Sequence, residues 1–246
     1  MSVATIRSRT RSASAPCAAL AVVLALLLAA AFGAPVAAAE PPPKPVLLLL
    51  HGGGFFTGDP GYMDYAAAIA AEQGEFATLQ PSYPLDDLPA AFAQMKGLAL
   101  SLRRQGRRVF AYGDSAGGGI AAWLASRGYV AAAAAKAPPT ALRAWKSAFA
   151  RYYASAAAGD PHSWRHLHAS EADLRTYSSA GRPSLRPLLI FQSCEDRIVP
   201  CAMNVGFAER DPRVSLVGIW GAHADPEAKD WSFRRGLAWL AARAAA

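Results

Sequence analysis

Ser115 stands in the run Tyr112-Gly113-Asp114-Ser115-Ala116-Gly117-Gly118-Gly119, between an apolar stretch from Arg108 to Ala111 and a helix-like one from Ile120 to Ser126. A G-x-S-x-G run at a strand-to-helix turn lifts a serine clear of its neighbours as a nucleophile. Gly113 and Gly117 leave room for so tight a turn. A serine hydroxyl attacks only when a base takes its proton, and that base must be held by a third group. Candidates for both lie downstream. Ser193-Cys194-Glu195-Asp196 follows an apolar segment ending at Gln192, and Gly221-Ala222-His223 follows one ending at Trp220. His223 is better placed than the other histidines, since His51 belongs to a separate motif and His162, His166 and His168 lie in a long connection. Spacing alone leaves both Glu195 and Asp196 open as the acid. Asp225 followed by Pro226 reads instead as a helix N-cap with proline at N1.

An attacked carbonyl becomes an oxyanion, which needs prepositioned N–H donors sheltered from water. His51-Gly52-Gly53-Gly54 follows the first apolar run, and an H-G-G-G loop in that place supplies such donors. The expected set is the N–H groups of Gly53, Gly54 and Ala116. Phosphate binding is the other use of such a loop, but no Gly-Lys-Ser or Gly-Lys-Thr follows, and the dinucleotide fingerprint is missing. Serine chemistry of this kind requires no metal and no organic cofactor. Cys194 and Cys201 have no further Cys or His at ligand spacing with which to hold zinc.

Apolar runs of strand length alternate with helix-like segments, the pattern of an α/β domain built on a mainly parallel sheet. Strands are predicted at Val46 to Leu50, Phe76 to Gln80, Arg108 to Tyr112, Val130 to Lys136, Leu188 to Gln192 and Val214 to Trp220. Their near-continuous hydrophobicity implies cover on both faces. Helices are predicted at Tyr62 to Gln73, Asp87 to Arg104, Ala116 to Arg127, Val199 to Glu209 and Pro226 to Ala244. The connection from Pro138 to Pro187 is longer than the rest, and loops of that length usually carry structure or function. Within it Thr140 is a candidate N-cap, and Trp145, Phe149, Tyr152 and Tyr153 recur at helical spacing before Gly159. That aromatic face either packs on the sheet as core or closes residues 138–186 over the site as a lid; the two readings are compatible.

The first residues differ from the remainder: Arg7, Arg9 and Arg11 without an acid, an apolar run from Ala18 to Phe32, then Ala37-Ala38-Ala39. This is the pattern of a secretory signal peptide over residues 1–39, cleaved between Ala39 and Glu40. The apolar run falls short of the roughly 20 residues of a spanning helix, so no stable membrane span is expected after cleavage. Cys17 leaves with the signal. Cleavage lowers the net charge from +7 to +4, and the Arg103, Arg104, Arg107 and Arg108 cluster around Gly106 reads as a solvated helix end suited to the macrodipole. No nucleic-acid partner is expected. A secreted or periplasmic location permits a disulfide, and Cys194 and Cys201 are read as bridged. Such a bridge would stiffen the loop that carries Asp196.

Taken together these residues resemble the α/β-hydrolases, and within them the esterases similar to hormone-sensitive lipase. The resemblance rests on His51 to Gly54, on Gly113 to Gly118, and on Tyr83-Pro84-Leu85 followed by Pro89-Ala90-Ala91. It spans nearly the whole of residues 40–246. In this family the triad runs in the order Ser, Asp or Glu, His, each just beyond a strand end, and Asp196, ahead of Val199-Pro200, matches the family's aspartate better than Glu195. The resemblance implies a fold of about six mainly parallel strands flanked by helices, with a helical insertion before the Asp-bearing strand. With the signal pattern of residues 1–39, it implies a secreted serine carboxylesterase acting on small or short-acyl esters, a small-molecule substrate, and Ser115, Asp196 and His223 as its triad. An acyltransferase or peptidase would use the same machinery, and a noncatalytic binding protein could share the fold. Departures bear on the pocket more than on the triad. Only Glu40 to Pro45 precede the first predicted strand, Phe55 stands where a tryptophan often follows the glycines, and no Arg follows Tyr83.

Overall fold

Alternate residues of Val46–Leu50 point to opposite sides of a sheet, and both sides are apolar. Val46, Leu48 and Leu50 join one buried cluster, while Leu47 and Leu49 join another. This is why the strand reads as an unbroken hydrophobic run. A computed structural model of the chain describes residues 43–155 and 167–246. The expected signal segment with Cys17, and Gly159, His162 and His166 of the long connection, lie outside the described residues.

Strands β1 (Val46–Leu50), β2 (Ala77–Leu79), β3 (Val109–Asp114), β4 (Ala133–Lys136), β5 (Leu188–Ser193) and β6 (Val214–Ile219) form a six-stranded sheet in the order β2-β1-β3-β4-β5-β6. Every neighbouring pair is parallel. Between them lie helices α1 (Asp64–Gln73), α2 (Leu88–Arg104), α3 (Ser115–Ser126), α4 (Leu142–Ser155), α5 (Glu171–Thr176), α6 (Cys201–Arg210) and α7 (Pro226–Ala244). Phe92 and Met95 of α2, Ile120 and Trp123 of α3, Trp145 and Phe149 of α4, and Phe207 of α6 pack on one face. Ile69 of α1 and Phe233, Leu237 and Leu240 of α7 cover the other. Helices thus cover both sides of a parallel sheet, the arrangement that the resemblance implies. No helix among the described residues is long and apolar enough to cross a membrane.

Some boundaries differ from the sequence reading, for local or tertiary reasons. β3 runs on to Asp114, because Gly113 aligns with Leu50 and Ala135 and Asp114 aligns with Lys136 in the parallel ladders. β4 begins only at Ala133, after a turn. The predicted helix from Tyr62 opens as a 3-10 turn over Pro60–Met63, with Asp59 as its cap. Within the long connection, α5 is a helix that the aromatic periodicity did not reveal. Ser170 and Asp173 cap it reciprocally, and that Ser-x-x-Asp spacing was its sequence signal. The arginines near Gly106 do more than meet solvent: Arg103 donates to the Gly128 carbonyl at 2.8 Å and Arg108 to that of Ala244 at 2.7 Å.

Candidate active site

β3 ends at Asp114 and α3 begins at Ser115 with no residue between them, so the whole reversal of chain direction falls on the serine. Its φ of 52° is left-handed, a conformation that costs a non-glycine residue about 1–3 kcal/mol. Packing holds it there. A Cβ at Gly117 would overlap the carbonyl oxygens of Leu50 and His51, and one at Gly113 would overlap the Gly117 carbonyl. The elbow is thus pressed against the end of β1, and α3 behind it is buried from Ala116 to Ser126.

His223 and Asp196 arrive from the ends of β6 and β5. Ser115 Oγ lies 2.8 Å from His223 Nε2, and His223 Nδ1 lies 2.6 Å from Asp196 Oδ2. The other carboxylate oxygen of Asp196 accepts from the N–H groups of Ile198 and Val199 at 2.8 and 2.9 Å. Burial by itself would push the Asp196 pKa up. The hydrogen bond and charge of His223, together with those two N–H groups, outweigh it and hold the carboxyl below its ordinary value. Glu195 is exposed and its N–H donates to Ser193 Oγ; it is Asp196 that reaches the histidine. Cys194 and Cys201 are joined in a disulfide, closing the loop around Asp196 with Cα atoms 5.0 Å apart. Asp225 caps α7, accepting from the Ala228 N–H at 2.8 Å.

On the opposite side of Ser115, the glycine turn after β1 is closed by the N–H groups of Phe56 and Thr57, which donate to the Gly53 carbonyl at 3.1 and 3.0 Å. Those bonds make no use of the Gly53 and Gly54 N–H groups. Both glycines have positive φ, 116° and 66°, which few other residues would tolerate. Behind the turn, His51 is buried, its Nδ1 is 2.7 Å from the Gly52 carbonyl, and its ring stacks on Tyr83 at 4.1 Å. The Tyr83 hydroxyl donates to the His51 carbonyl at 2.8 Å. Desolvation lowers the His51 pKa, so a neutral imidazole supports the loop. Gly53, Gly54, Ser115 and His223 together border a cavity of about 180 Å³ whose remaining wall includes Phe56, Tyr62, Trp145, Phe149 and Ile198.

Trp145 and Phe149 belong to the core cluster as well as to this wall, and their rings lie 5.0 Å apart. Tyr152 and Tyr153 continue α4, but their side chains are outside the described residues. His168 is remote from the serine and faces Asp87, 3.6 Å away. Sequence reasoning gave no part to Tyr62 or Lys136. The Tyr62 hydroxyl donates to Asp114 at 3.0 Å, and Lys136 donates to the His223 carbonyl at 2.6 Å. A lysine closing an otherwise apolar strand was the one available signal.

The arrangement can remove a proton from Ser115 through His223 and shelter a small acyl group against aromatic walls. Residues 47–183 match a family described as the alpha/beta hydrolase fold. The match takes in the glycine turn and Ser115 and stops short of Asp196 and His223. Among solved structures, the apo form of Thermogutta terrifontis esterase 2 shares 18% identity, covering 80% of this chain and 81% of its own, with a TM-score of 0.62. An esterase/lipase from an uncultured bacterium shares 22% identity over 82% of this chain and 78% of its own, with a TM-score of 0.66. At these identities the likeness is one of fold. No curated protein matches the sequence.

Proposed function

This chain belongs to the α/β-hydrolase family, and from that premise we propose that it is an exported serine carboxylesterase for small or short-acyl esters. The observation that carries the proposal is the hydrogen-bonded line from Ser115 through His223 to Asp196, at 2.8 and 2.6 Å, with Ser115 and His223 in the wall of a cavity. Ser115 Oγ attacks the ester carbonyl as His223 Nε2 takes its proton, and Asp196 stabilises the imidazolium that results. The N–H groups of Gly53, Gly54 and Ala116 receive the oxyanion. His223 then gives the proton to the leaving alcohol, and water repeats the cycle on the acyl-enzyme. The cavity of about 180 Å³ with Trp145 and Phe149 in its wall favours short acyl groups. One of the similar structures is that of the Thermogutta esterase with propionate bound. Export is supported by the signal-like pattern of residues 1–39 and by the Cys194–Cys201 disulfide.

Turnover of p-nitrophenyl esters from acetate to palmitate tests the substrate class. The expected outcome is a kcat/KM highest at acetate to butyrate and falling with each further pair of methylenes. A preference for palmitate would overturn the short-acyl assignment.

A further inference from the structure

Ser115 follows β3, whereas His223 follows β6, an edge strand three positions along the sheet. At about 4.8 Å per strand, the ends of β3 and β6 stand roughly 14 Å apart, a gap that the loop after β6 and the His223 side chain bridge together. Its local bonds, Asp225 N–H to the Ala222 carbonyl and the Asp225 cap on Ala228, tie it to α7. The His223 ring reaches Asp196 and Ser115, but neither of these local bonds fixes the His223 backbone to the sheet. Lys136 is the last residue of β4, the strand next to β3 on the β6 side.

The Lys136 side chain is 2% exposed, in a strand whose other residues are all alanine. A buried ammonium is costly unless it is both paired and hydrogen-bonded, so its partners identify what it is there for. Its hydrogen bond goes to the His223 carbonyl at 2.6 Å. The Asp114 carboxylate is 3.7 Å away, too far for a good hydrogen bond but close enough to neutralise the charge. Asp114 in turn accepts from Tyr62, precedes Ser115, and is the register partner of Lys136 between β3 and β4. The lysine thus meets the two segments that must be aligned, the one before the nucleophile and the one bearing the base.

We propose that Lys136 is a positioning residue: neutralised by Asp114, it clamps the His223 backbone carbonyl and fixes the imidazole over Ser115. The catalytic consequence rests on the Ser-His-Asp reading above, but the clamp itself is a statement about where His223 sits. Lys136 touches neither substrate nor reacting atoms in this account, so its removal should lower kcat and leave KM nearly unchanged.

Lys136→Met removes charge and donor together, and Asp114→Asn/Lys136→Met removes the clamp without leaving a buried carboxylate unpaired. Both should lose kcat by roughly 10- to 100-fold, with KM within about threefold of wild type, while the double variant recovers thermal stability. Lys136→Gln, which keeps an N–H donor on a shorter arm, should regain part of kcat. The downfield proton resonance of His223 Nδ1–H, held by Asp196, should be sharp in the wild type and broadened or lost in both methionine variants. Wild-type kcat with an intact resonance in Lys136→Met would overturn the clamp. So would a kcat that returns in step with stability in the double variant, because the lysine would then be structural only. If the wild-type protein turns over no ester, the function assignment fails and the resonance alone decides the clamp.

Discussion

Asp196 shows how much of the chemistry depends on satisfying one buried carboxylate. It is 5% exposed, and its oxygens are met by His223 and by the Ile198 and Val199 N–H groups. Asp196→Asn should keep the fold yet cost on the order of 10⁴ in kcat, since an amide presents the histidine with the wrong hydrogen-bond partner. Single-turnover kinetics would check this, and a loss under tenfold would count against Asp196 as the orienting acid. The pH dependence of stability follows from two depressed pKa values. Asp196, held below its ordinary 3.8, stabilises the fold above that value and ceases to as pH falls through its lowered pKa. His51, buried and held below its ordinary 6.5, is favoured neutral in the folded state. Its contribution is complete above 6.5 and is lost as pH falls through the lowered value. Tm should therefore decline on acidification, the His51 portion first, and His51→Gln should flatten that first decline; calorimetry across the acid range reads both. The parts of the site were legible in the sequence because each lies just past a strand end. Lys136 was not: a lysine ending a strand ordinarily reaches solvent, and here it is buried between Asp114 and the His223 carbonyl, which lie far from it in sequence.

Among the elements, α4 has two jobs that a periodicity argument could not separate. Trp145 and Phe149 recur at helical spacing, and both core and lid use that spacing; the structure puts them in the core and in the cavity wall at once. Phe149→Ala should raise kcat/KM for octanoate relative to acetate by about tenfold, as the pocket gains room for methylenes. An unchanged ratio would remove α4 from substrate selection. The short α5 escaped notice because so brief a helix has no face to display, only its capping pair. The disulfide makes a separate claim. Cys194→Ser/Cys201→Ser should lose about 2 kcal/mol in denaturant unfolding, from a bridge spanning so short a loop. If the bridge preorganises Asp196, kcat should fall with it under conditions where both proteins are folded.

Across the whole molecule, a parallel sheet brings all of its C-terminal strand ends to one edge, which is where open α/β sheets bind ligands. The glycine turn follows β1, Ser115 follows β3, Asp196 follows β5 and His223 follows β6. Apolar runs revealed that architecture because β1, β3, β4 and β5 are buried along their whole length, whereas the edge strands β2 and β6 are only partly covered. They could not reveal the order β2-β1-β3-β4-β5-β6, which is set by how helices pack across faces rather than by any local pattern. The proposed export is tested on the chain as a whole as well. Expressed with residues 1–39 in place in an exporting bacterium, the protein should be recovered with Glu40 as its first residue, and an intact mass retaining residues 1–39 would contradict cleavage. The central claim is that this assembly performs nucleophilic catalysis through one serine. The most direct test is p-nitrophenyl acetate hydrolysis by wild type and Ser115→Ala, followed from the first turnover. The account predicts an initial burst of p-nitrophenol proportional to wild-type enzyme, absent from the variant, with the steady rate down by at least about 10³-fold. Equal rates in the two proteins would contradict it.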